Sequence, residues 1–220
     1  MVKFFLTILL VIIQFSIFIC LVNEKIIEEN EIGPIGNYTY ELYKDYGDTK
    51  MILKGDGKFS CSWSNIGNAI FRIAKRWNVT QTHQEIGNIK VNYEIDFKSS
   101  NITYYSVYGW TQYPLVEYFI IENWEGDLYF SDKFGSLSID QGTYDMYKYT
   151  QVSVDGTGIT RIWSVRNEKR NKGTVSVSQH FKAWEDHGIR LGKMYEVSFS
   201  VEGYKGSGNA NVLKNEVIIE

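Results

Sequence analysis

The sequence has few cysteines and few histidines, which argues against an internal disulfide and against a zinc site. Of the 2 cysteines, Cys20 lies in an apolar N-terminal stretch, so Cys61 stands alone in the rest of the chain and an internal disulfide is excluded. We expect Cys61 to be a small core residue. The 3 histidines, His83, His180 and His187, match no zinc-ligand spacing. We therefore expect neither a metal nor another cofactor.

A basic character is missing too. The chain has 23 Lys and Arg against 26 Asp and Glu, a formal net charge of −3, so nucleic acid is not an expected partner. Aromatic side chains are plentiful instead, at 15 % of the residues, with 16 Tyr and 6 Trp. Such side chains offer a flat apolar face with a polar tip, which suits a wet groove that stacks a partly apolar ligand. We expect a monomer.

The chain divides into three parts. Residues 1–23 carry one charge, Lys3, in an otherwise apolar stretch, which predicts a signal peptide and a secreted protein, although the stretch is long enough for a membrane anchor. The charged residues 24–36 are expected to be loose, and 37–220 to form one domain. Sequons at Asn37, Asn78 and Asn101 fit a secreted surface. Once the leader is removed, no stable membrane association is expected.

Alternation of apolar and polar residues predicts an all-β fold. Every second residue is apolar in Phe59 to Asn65, in Ile89 to Phe97 and in Tyr195 to Glu202. Strands of this kind have one face in a core and one face in water. A single helix is predicted over 178–188, with Ser178 as its N-cap. We predict a two-sheet β-sandwich or jelly roll with one short helix, whose inner sheet curves into a substrate cleft.

The strand Leu115 to Ile121 is unusual because both of its faces are apolar. Alternation puts Phe119 and Ile121 on the side of Glu117. A strand covered on both sides leaves Glu117 partly desolvated, and a buried carboxylate costs several kcal/mol unless it is paired. Glu117 is therefore a candidate functional residue. The alternative is a glutamate at a sheet edge that reaches water.

Two strands carry the most distinctive motifs. They are Tyr108-Gly109-Trp110 with Pro114-Leu115-Val116-Glu117-Tyr118, and Val201-Glu202-Gly203-Tyr204 with Ser207-Gly208. Further segments are Trp63-Ser64-Asn65 with Gly67-Asn68, Gly142-Thr143-Tyr144-Asp145, Trp163-Ser164-Val165-Arg166 and His180-Phe181-Lys182-Ala183-Trp184. In this order they resemble glycoside hydrolase family 11, the small endo-β-1,4-xylanases. The resemblance covers nearly the whole chain from about Asn37 onward.

The resemblance implies a jelly roll shaped like a partly closed hand, with xylan as the substrate in its cleft. It implies that Glu117 is the nucleophile and Glu202 the general acid/base of a retaining endo-1,4-β-xylanase. Retention needs one carboxyl group ionised, to attack the anomeric carbon, and one protonated, for the leaving oxygen. The alternation in residues 195–202 independently puts Glu202 on the polar face.

The resemblance also implies residues that bind substrate. Tyr104, Tyr108 and Tyr204 fall where family tyrosines contact the sugar or line the cleft. The alternative for each is a half-buried sandwich tyrosine. Tyr43 stands where the family usually has a sugar-stacking tryptophan, and so offers a smaller platform.

Several positions depart from the family pattern. Ser62 occupies the place of an Asn or Asp that hydrogen-bonds the acid/base, and Phe119 replaces a tyrosine whose hydroxyl reaches the catalytic pair. Arg161 replaces a substrate-binding glutamine, and Glu196 stands where many members have a tyrosine. The thumb hairpin, with its tip at 153–156, is several residues shorter and lacks the usual proline. These departures predict reduced activity.

Two other functions stay open on the sequence. One is a carbohydrate-binding sandwich that has kept the cleft and lost turnover. Retention of both Glu117 and Glu202 argues against it, because a pure binder gains nothing from burying two carboxylates. The other is a membrane-tethered adhesion domain, which rests only on the long leader and the sandwich pattern.

Overall fold

The computed structural model of the protein describes residues 24–130, 132–152 and 158–220. These residues form two β-sheets and two helices, so the predicted all-β sandwich is confirmed. No helix in this part of the chain is long and apolar enough to cross a membrane. The predicted leader, residues 1–23, lies outside the described residues.

The elements follow one another with short connections. In chain order the strands are β1 Lys25–Ile27, β2 Glu31–Ile35, β3 Tyr38–Lys44, β4 Asp48–Gly55, β5 Lys58–Ser64, β6 Asn68–Arg76, β7 Ile89–Ser99, β8 Ile102–Gln112, β9 Val116–Glu125, β10 Asp132–Ile139, β11 Gly142–Val152, β12 Gly158–Arg166, β13 Lys172–Val175, β14 Lys193–Tyr204 and β15 Gly208–Ile219. The helices are α1 His83–Ile86 and α2 Val177–Asp186.

The strands divide into a smaller and a larger sheet. The smaller sheet has six strands in the order β1-β4-β5-β15-β7-β13. The larger has nine strands in the order β10-β11-β12-β9-β8-β14-β6-β3-β2. Among its pairs only β12 with β9 is parallel, and the pairing sets Arg161 beside Glu117.

The core lies between the sheets and is built from alternate residues of the strands, as predicted. In β5, Phe59, Cys61 and Trp63 are buried, and burial raises the pKa of the Cys61 thiol. In β14, Val197, Phe199 and Val201 belong to the same core. Because side chains alternate across a strand, the residues between them face the other side of the larger sheet. That outer face carries the cleft.

Gly109 explains why the Tyr-Gly-Trp motif of β8 contains a glycine. A Cβ at this position would collide with the carbonyl oxygen of Glu196 and with the phenol of Tyr118. The Tyr118 hydroxyl donates a 2.6 Å hydrogen bond to that same carbonyl. The missing side chain therefore lets a buried tyrosine of β9 bind β14 across β8.

The predicted helix is confirmed as α2, but its start differs. Its N-cap is Ser176, and Ser178 lies inside the helix. The Ser178 hydroxyl accepts a 2.9 Å hydrogen bond from the Ile89 N–H, so it fixes the helix to β7 instead of capping it. Phe181 and Trp184 are both fully buried, as their spacing predicts.

Three elements contradict the predictions of a single helix and a loose N-terminal segment. Helix α1 begins after a capping box, in which Thr82 and Glu85 satisfy each other's backbone N–H groups. Strands β1 and β2 lie in the segment 24–36, which the prediction of a loose lead-in misses. That prediction is wrong because Ile27 is 2 % exposed and β1 pairs with β4 at the sheet edge. The charged residues around Ile27 made the segment look unstructured in the sequence, although this one side chain packs into the core.

Candidate active site

The cleft face of β9 carries the first candidate residue. Val116, Tyr118 and Ile120 pack into the core between the sheets. Phe119 and Ile121 belong to a separate apolar cluster on the cleft face. Glu117 shares that face and is 8 % exposed. The predicted division of this strand into two apolar faces, with a desolvated glutamate on one, is confirmed.

Glu117 has a charged partner. The Arg161 Nε lies 2.6 Å from Glu117 Oε2, and the two residues are direct neighbours in the parallel pairing of β12 and β9. The other carboxylate oxygen accepts a 3.0 Å hydrogen bond from the Tyr108 hydroxyl. Tyr108 in turn accepts a 2.5 Å hydrogen bond from Trp110 Nε1. Both oxygens of Glu117 are thus held, one by a cation and one by a phenol.

Glu202 has neutral partners instead. It is 6 % exposed on β14. The hydroxyls of Tyr104 and Tyr204 each donate to it at 2.5 Å, and the Asn68 side-chain amide donates at 3.1 Å. Burial raises the pKa of Glu202, these three hydrogen bonds oppose that shift, and the charge of Glu117 adds to it. The net direction is upward, as a proton donor requires.

The three predicted cleft tyrosines all contact a predicted catalytic carboxylate. Tyr104 and Tyr204 bind Glu202, and Tyr108 binds Glu117. Burial raises the pKa of each phenol, so all three keep their protons and act as donors. Their contact with sugar stays a prediction.

Phe119 and Tyr43 lie on the cleft face at different places. Phe119 stacks on Trp163, with ring centroids 5.7 Å apart and planes 12° apart, and has no hydroxyl to offer Glu117. Tyr43 is 44 % exposed on β3 and is paired through β6 with the strand of Glu202. An exposed ring on this face is free to stack on a ligand, so its role as a platform stays a prediction.

The prediction for Ser62 is wrong. Ser62 lies on β5 of the smaller sheet and points away from the core, on the face opposite Phe59, Cys61 and Trp63. A residue on the outer face of one sheet cannot reach a carboxylate on the outer face of the other. Asn68, at the start of β6, makes the expected hydrogen bond to Glu202. The signal was present in the Gly-Asn motif that ends the same segment.

One end of the cleft is aromatic. We call it the aromatic end, defined by Tyr104, Phe130, Trp163 and Tyr204. An open cavity connects it with Glu117 and Arg161. Phe130 lies with its ring centroid 5.6 Å from that of Trp163. Phe130 belongs to the connection after β9, where no strand alternation reveals which way a side chain points, so it was not predicted.

The other end carries a charged quartet, defined by Glu41, Arg72, Arg76 and Glu196. Glu41 accepts hydrogen bonds from Arg72 and Arg76, at 2.7 and 3.0 Å. Glu196 accepts one from Arg76 at 2.6 Å and lies 3.3 Å from Arg72 Nε. The Arg72 guanidinium also covers the Tyr108 ring, 4.6 Å from its centroid. The two arginines were missed, although alternation along β6 puts both on the face of Asn68.

The thumb is described only in part. The thumb tip, predicted to be short, falls at 153–157, outside the described residues. Its arms are β11 and β12, which pair as the predicted hairpin. Within the described ranges, no group of three or more His, Cys, Asp or Glu side chains is placed to hold a metal ion.

Comparison with known proteins decides the family. The model for glycosyl hydrolases family 11 matches residues 35–213. The chain belongs to this family. It is 48 % identical over 201 residues to an endo-1,4-beta-xylanase A of Bacillus pumilus, covering 90 % of this chain and 88 % of the relative. The structure of the family 11 xylanase from Neocallimastix patriciarum matches with a TM-score of 0.79 and 26 % identity, covering 90 % of this chain and all of that one.

The family is also found in longer proteins. The chain is 50 % identical over 204 residues to an endo-1,4-beta-xylanase A of Thermoclostridium stercorarium. That match covers 89 % of this chain but 31 % of the relative. The chain thus spans less than a third of one curated relative and most of another. Membership of family 11 confirms the resemblance that the sequence motifs carry.

Proposed function

We propose that the protein is an endo-1,4-β-xylanase that cleaves internal β-1,4-xylosidic bonds of xylan with retention of configuration. The observation that carries the proposal is the contrast between two carboxyl groups on one cleft face. Glu117 faces a guanidinium, whereas Glu202 has only neutral donors and a raised pKa. Two carboxyl groups in opposed surroundings are what an ionised nucleophile and a protonated acid need.

The first chemical step uses both groups at once. A carboxylate oxygen of Glu117 forms a bond to the anomeric carbon, and the glycosidic bond to the leaving oxygen breaks. The proton of Glu202 goes to that oxygen, so the shortened chain leaves as an alcohol. The product on the enzyme is an ester of Glu117.

The second step reverses the roles. A water oxygen bonds to the anomeric carbon, its proton goes to Glu202, and the bond to Glu117 breaks with its electron pair returning to the carboxylate. Glu202 ends protonated and Glu117 ionised, as at the start. Because each displacement inverts the anomeric carbon, the two together retain its configuration.

Substitution of each carboxyl group tests the assignment. Glu117→Gln and Glu202→Gln are each expected to lower kcat/KM on xylan by about 10²–10⁴-fold, as the loss of a reacting or proton-transferring group does. Glu125→Gln, at the exposed end of β9, is the matched control and is expected to behave as wild type. Wild-type activity in either cleft variant would rule out these roles.

A nitrophenyl xyloside separates the two roles. Nitrophenolate needs little help from an acid, so Glu202→Gln is expected to recover much of its first-step rate on this substrate. Glu117→Gln is not. NMR of the sugar first released from xylan is expected to show the β anomer, and the α anomer would contradict retention.

The competing function, a carbohydrate-binding sandwich without turnover, gives a different result. It predicts that the protein sediments with insoluble xylan and releases no reducing sugar from it. The proposed xylanase releases reducing sugar from xylan and little from cellulose. The protein lacking residues 1–23 is the form to assay.

We propose further that the protein is secreted as a monomer. Support comes from residues 1–23, which combine one early lysine with an apolar run. Asn37, Asn78 and Asn101 are all exposed, as glycosylation of their sequons in a secreted protein would require. N-terminal sequencing of the exported protein tests the leader, and an intact residue 1 in a membrane fraction would indicate an anchor. Sedimentation velocity tests the monomer.

Slow turnover is part of the proposal. The sequence between the two thumb arms, 153–157, is shorter than in the family pattern that the chain resembles. Fewer contacts that form only in the transition state lower kcat as well as affinity. Grafting a longer thumb with a proline at its tip is expected to raise kcat on xylan. An unchanged kcat would show that the thumb does not limit the rate.

A further inference from the structure

A guanidinium sits on the proposed nucleophile. Arg161 Nε and Glu117 Oε2 are 2.6 Å apart, and the side chains are 32 % and 11 % exposed. Such a bond between ionised groups is about twice as strong as one between neutral groups. The resemblance to the family implies a neutral glutamine at this position, where this chain has a cation.

Arg161 forms its ion pair with Glu117. In the described part of the chain, Glu117 is the one carboxylate within ion-pair distance of Arg161. Within the same described residues, Arg161 makes one further hydrogen bond, from Nη1 to Gln151 Oε1 at 3.4 Å, a neutral group on the facing thumb arm. Of the other buried carboxylates on this face, Glu202 is held by neutral donors and Glu196 is paired with the arginines of the charged quartet. Arg161 is therefore committed to Glu117 before substrate arrives.

We propose that Arg161 sets the balance between the two chemical steps, slowing attack by Glu117 and speeding its departure. The inference rests on the proposed retaining mechanism. In the first step the Glu117 carboxylate becomes an ester, so Arg161 loses its anion as the bond to the anomeric carbon forms. An interaction that is stronger in the ground state than in the transition state raises the barrier. In the second step the carboxylate re-forms beside the guanidinium, and the same interaction lowers the barrier.

The consequence is a first step that limits turnover. The glycosyl-enzyme then breaks down faster than it forms, so it does not accumulate. Replacing the cation by a neutral donor reverses this order. Arg161→Gln is expected to speed the first step and slow the second by roughly tenfold each, the difference between a charged and a neutral hydrogen bond.

Stopped-flow release of methylumbelliferone from methylumbelliferyl xylobioside measures both steps, because the first step releases the dye, a leaving group less activated than a dinitrophenolate. Wild type is expected to release dye linearly from the start. Arg161→Gln is expected to release about one equivalent per enzyme in a burst and then turn over more slowly. Intact-mass spectrometry of the quenched reaction is expected to show the xylobiosyl enzyme in the variant only. A purely structural role for Arg161 would lower both phases together and produce no burst.

Three variants serve as controls. Arg161→Lys keeps the charge and is expected to show no burst. Arg161→Met removes both charge and donor and is expected to show one, which keeps the test open if Arg161→Gln folds poorly. Arg190→Gln removes an exposed arginine outside the cleft and is expected to match wild type. Circular dichroism establishes that each variant is folded.

The outcomes separate this inference from the proposed function. A burst already present in wild type, or absent from both charge-free variants, overturns the role of Arg161 and leaves the xylanase proposal standing. If wild type releases no more dye than Glu117→Gln, the retaining mechanism fails and this inference fails with it. A burst confined to Arg161→Gln and Arg161→Met supports both.

Discussion

The two ends of the cleft use polar and apolar side chains in opposite ways. At the charged quartet, two arginines and two glutamates form ion pairs with one another, and Glu196 is fully buried beneath them. At the aromatic end, rings of Tyr104, Phe130, Trp163 and Tyr204 line an open cavity beside Glu117. No member of the quartet lines that cavity. The charged side chains at one end pair with one another, whereas the aromatic rings at the other end line a cavity that is open to a ligand.

The difference follows from what each kind of side chain leaves unpaired. Opposite charges in equal number neutralise one another, so a neutral sugar finds no unpaired charge among them. An aromatic ring has no partner that satisfies its face, and a sugar ring can cover it. Glu196 and Glu202 are six residues apart on β14, or roughly 20 Å along an extended strand. The length of β14 therefore separates the charged quartet, which we expect to stabilise the fold, from the aromatic end, which we expect to bind substrate.

We therefore expect substitutions at the quartet to act on stability and substitutions at the aromatic end to act on substrate. Both tyrosines that donate to Glu202, Tyr104 and Tyr204, belong to the aromatic end. Chemistry and binding thus share one end of the cleft.

The largest effect is expected from Glu196→Gln. This change leaves Arg72 and Arg76 without the fully buried member of the quartet, and breaking a buried ion pair costs about 3–5 kcal/mol. The free energy of unfolding in urea should fall by that amount, and Tm by roughly 6–20 °C for a chain of this size. Glu41→Gln is the matched control, with a smaller loss, because its side chain is 24 % exposed.

At a temperature where Glu196→Gln is folded, its kcat/KM on xylohexaose is expected to stay within about threefold of wild type, less than the tenfold change that 1.4 kcal/mol produces. A stable variant with a large loss of kcat/KM would reverse the comparison. The quartet would then be a substrate site and not a stabilising one.

Trp163→Ala is expected to have the opposite effect, a loss of kcat/KM that exceeds its loss of stability. It removes a ring that stacks on Phe119 and lines the cavity. Loss of an apolar surface of this size is worth about 1.5–3 kcal/mol, which corresponds to roughly 10- to 100-fold in kcat/KM on xylohexaose. Trp77→Ala, packed on the core away from the cleft, should lose stability and keep kcat/KM. Equal kinetic losses in both variants would show that Trp163 acts through the fold.

Tyr104→Phe is expected to change the pH profile. The Tyr104 hydroxyl lowers the pKa of Glu202 by stabilising its ionised form. Removing that donor raises the pKa, so Glu202 keeps its proton to a higher pH, and the alkaline limb of kcat/KM moves upward. The limb is measured on xylohexaose across the pH range. Tyr46→Phe, which removes a phenol that is 60 % exposed, should leave the limb in place, and a downward shift in Tyr104→Phe would contradict the sign.

The sequence predicts most of this fold because its strands alternate cleanly. Phe59 to Asn65 and Tyr195 to Glu202 show which side of each strand is buried, and the motifs add which strands carry the two carboxylates. Alternation does not show which sheet a strand joins. Alternation correctly put Ser62 on a polar strand face, but the strand belongs to the smaller sheet and not to the sheet that carries the cleft. Only the pairing of β5 with β4 and β15 shows this.

Pairs of charges were predicted least well. Arg161 stands where the family pattern has a substrate-binding glutamine, and its ion pair with Glu117 was not predicted. The register between the parallel strands β9 and β12 decides that contact, and short-range spacing carries no information about it. Phe130 was missed for a related reason, since the connection that holds it has no period.

The smallest effect is expected from Ser62→Ala. The side chain lies in water on the outer face of the smaller sheet, so its loss should change stability by no more than about 0.5 kcal/mol and leave the pH profile unchanged. Asn68→Ala is its matched partner, because the Asn68 amide stabilises ionised Glu202. That variant should move the alkaline limb upward, as Tyr104→Phe does, whereas a shift produced by Ser62→Ala would place the serine in the cleft after all. The two variants together show which of the two polar groups, Ser62 on the smaller sheet or Asn68 on the larger, contacts Glu202.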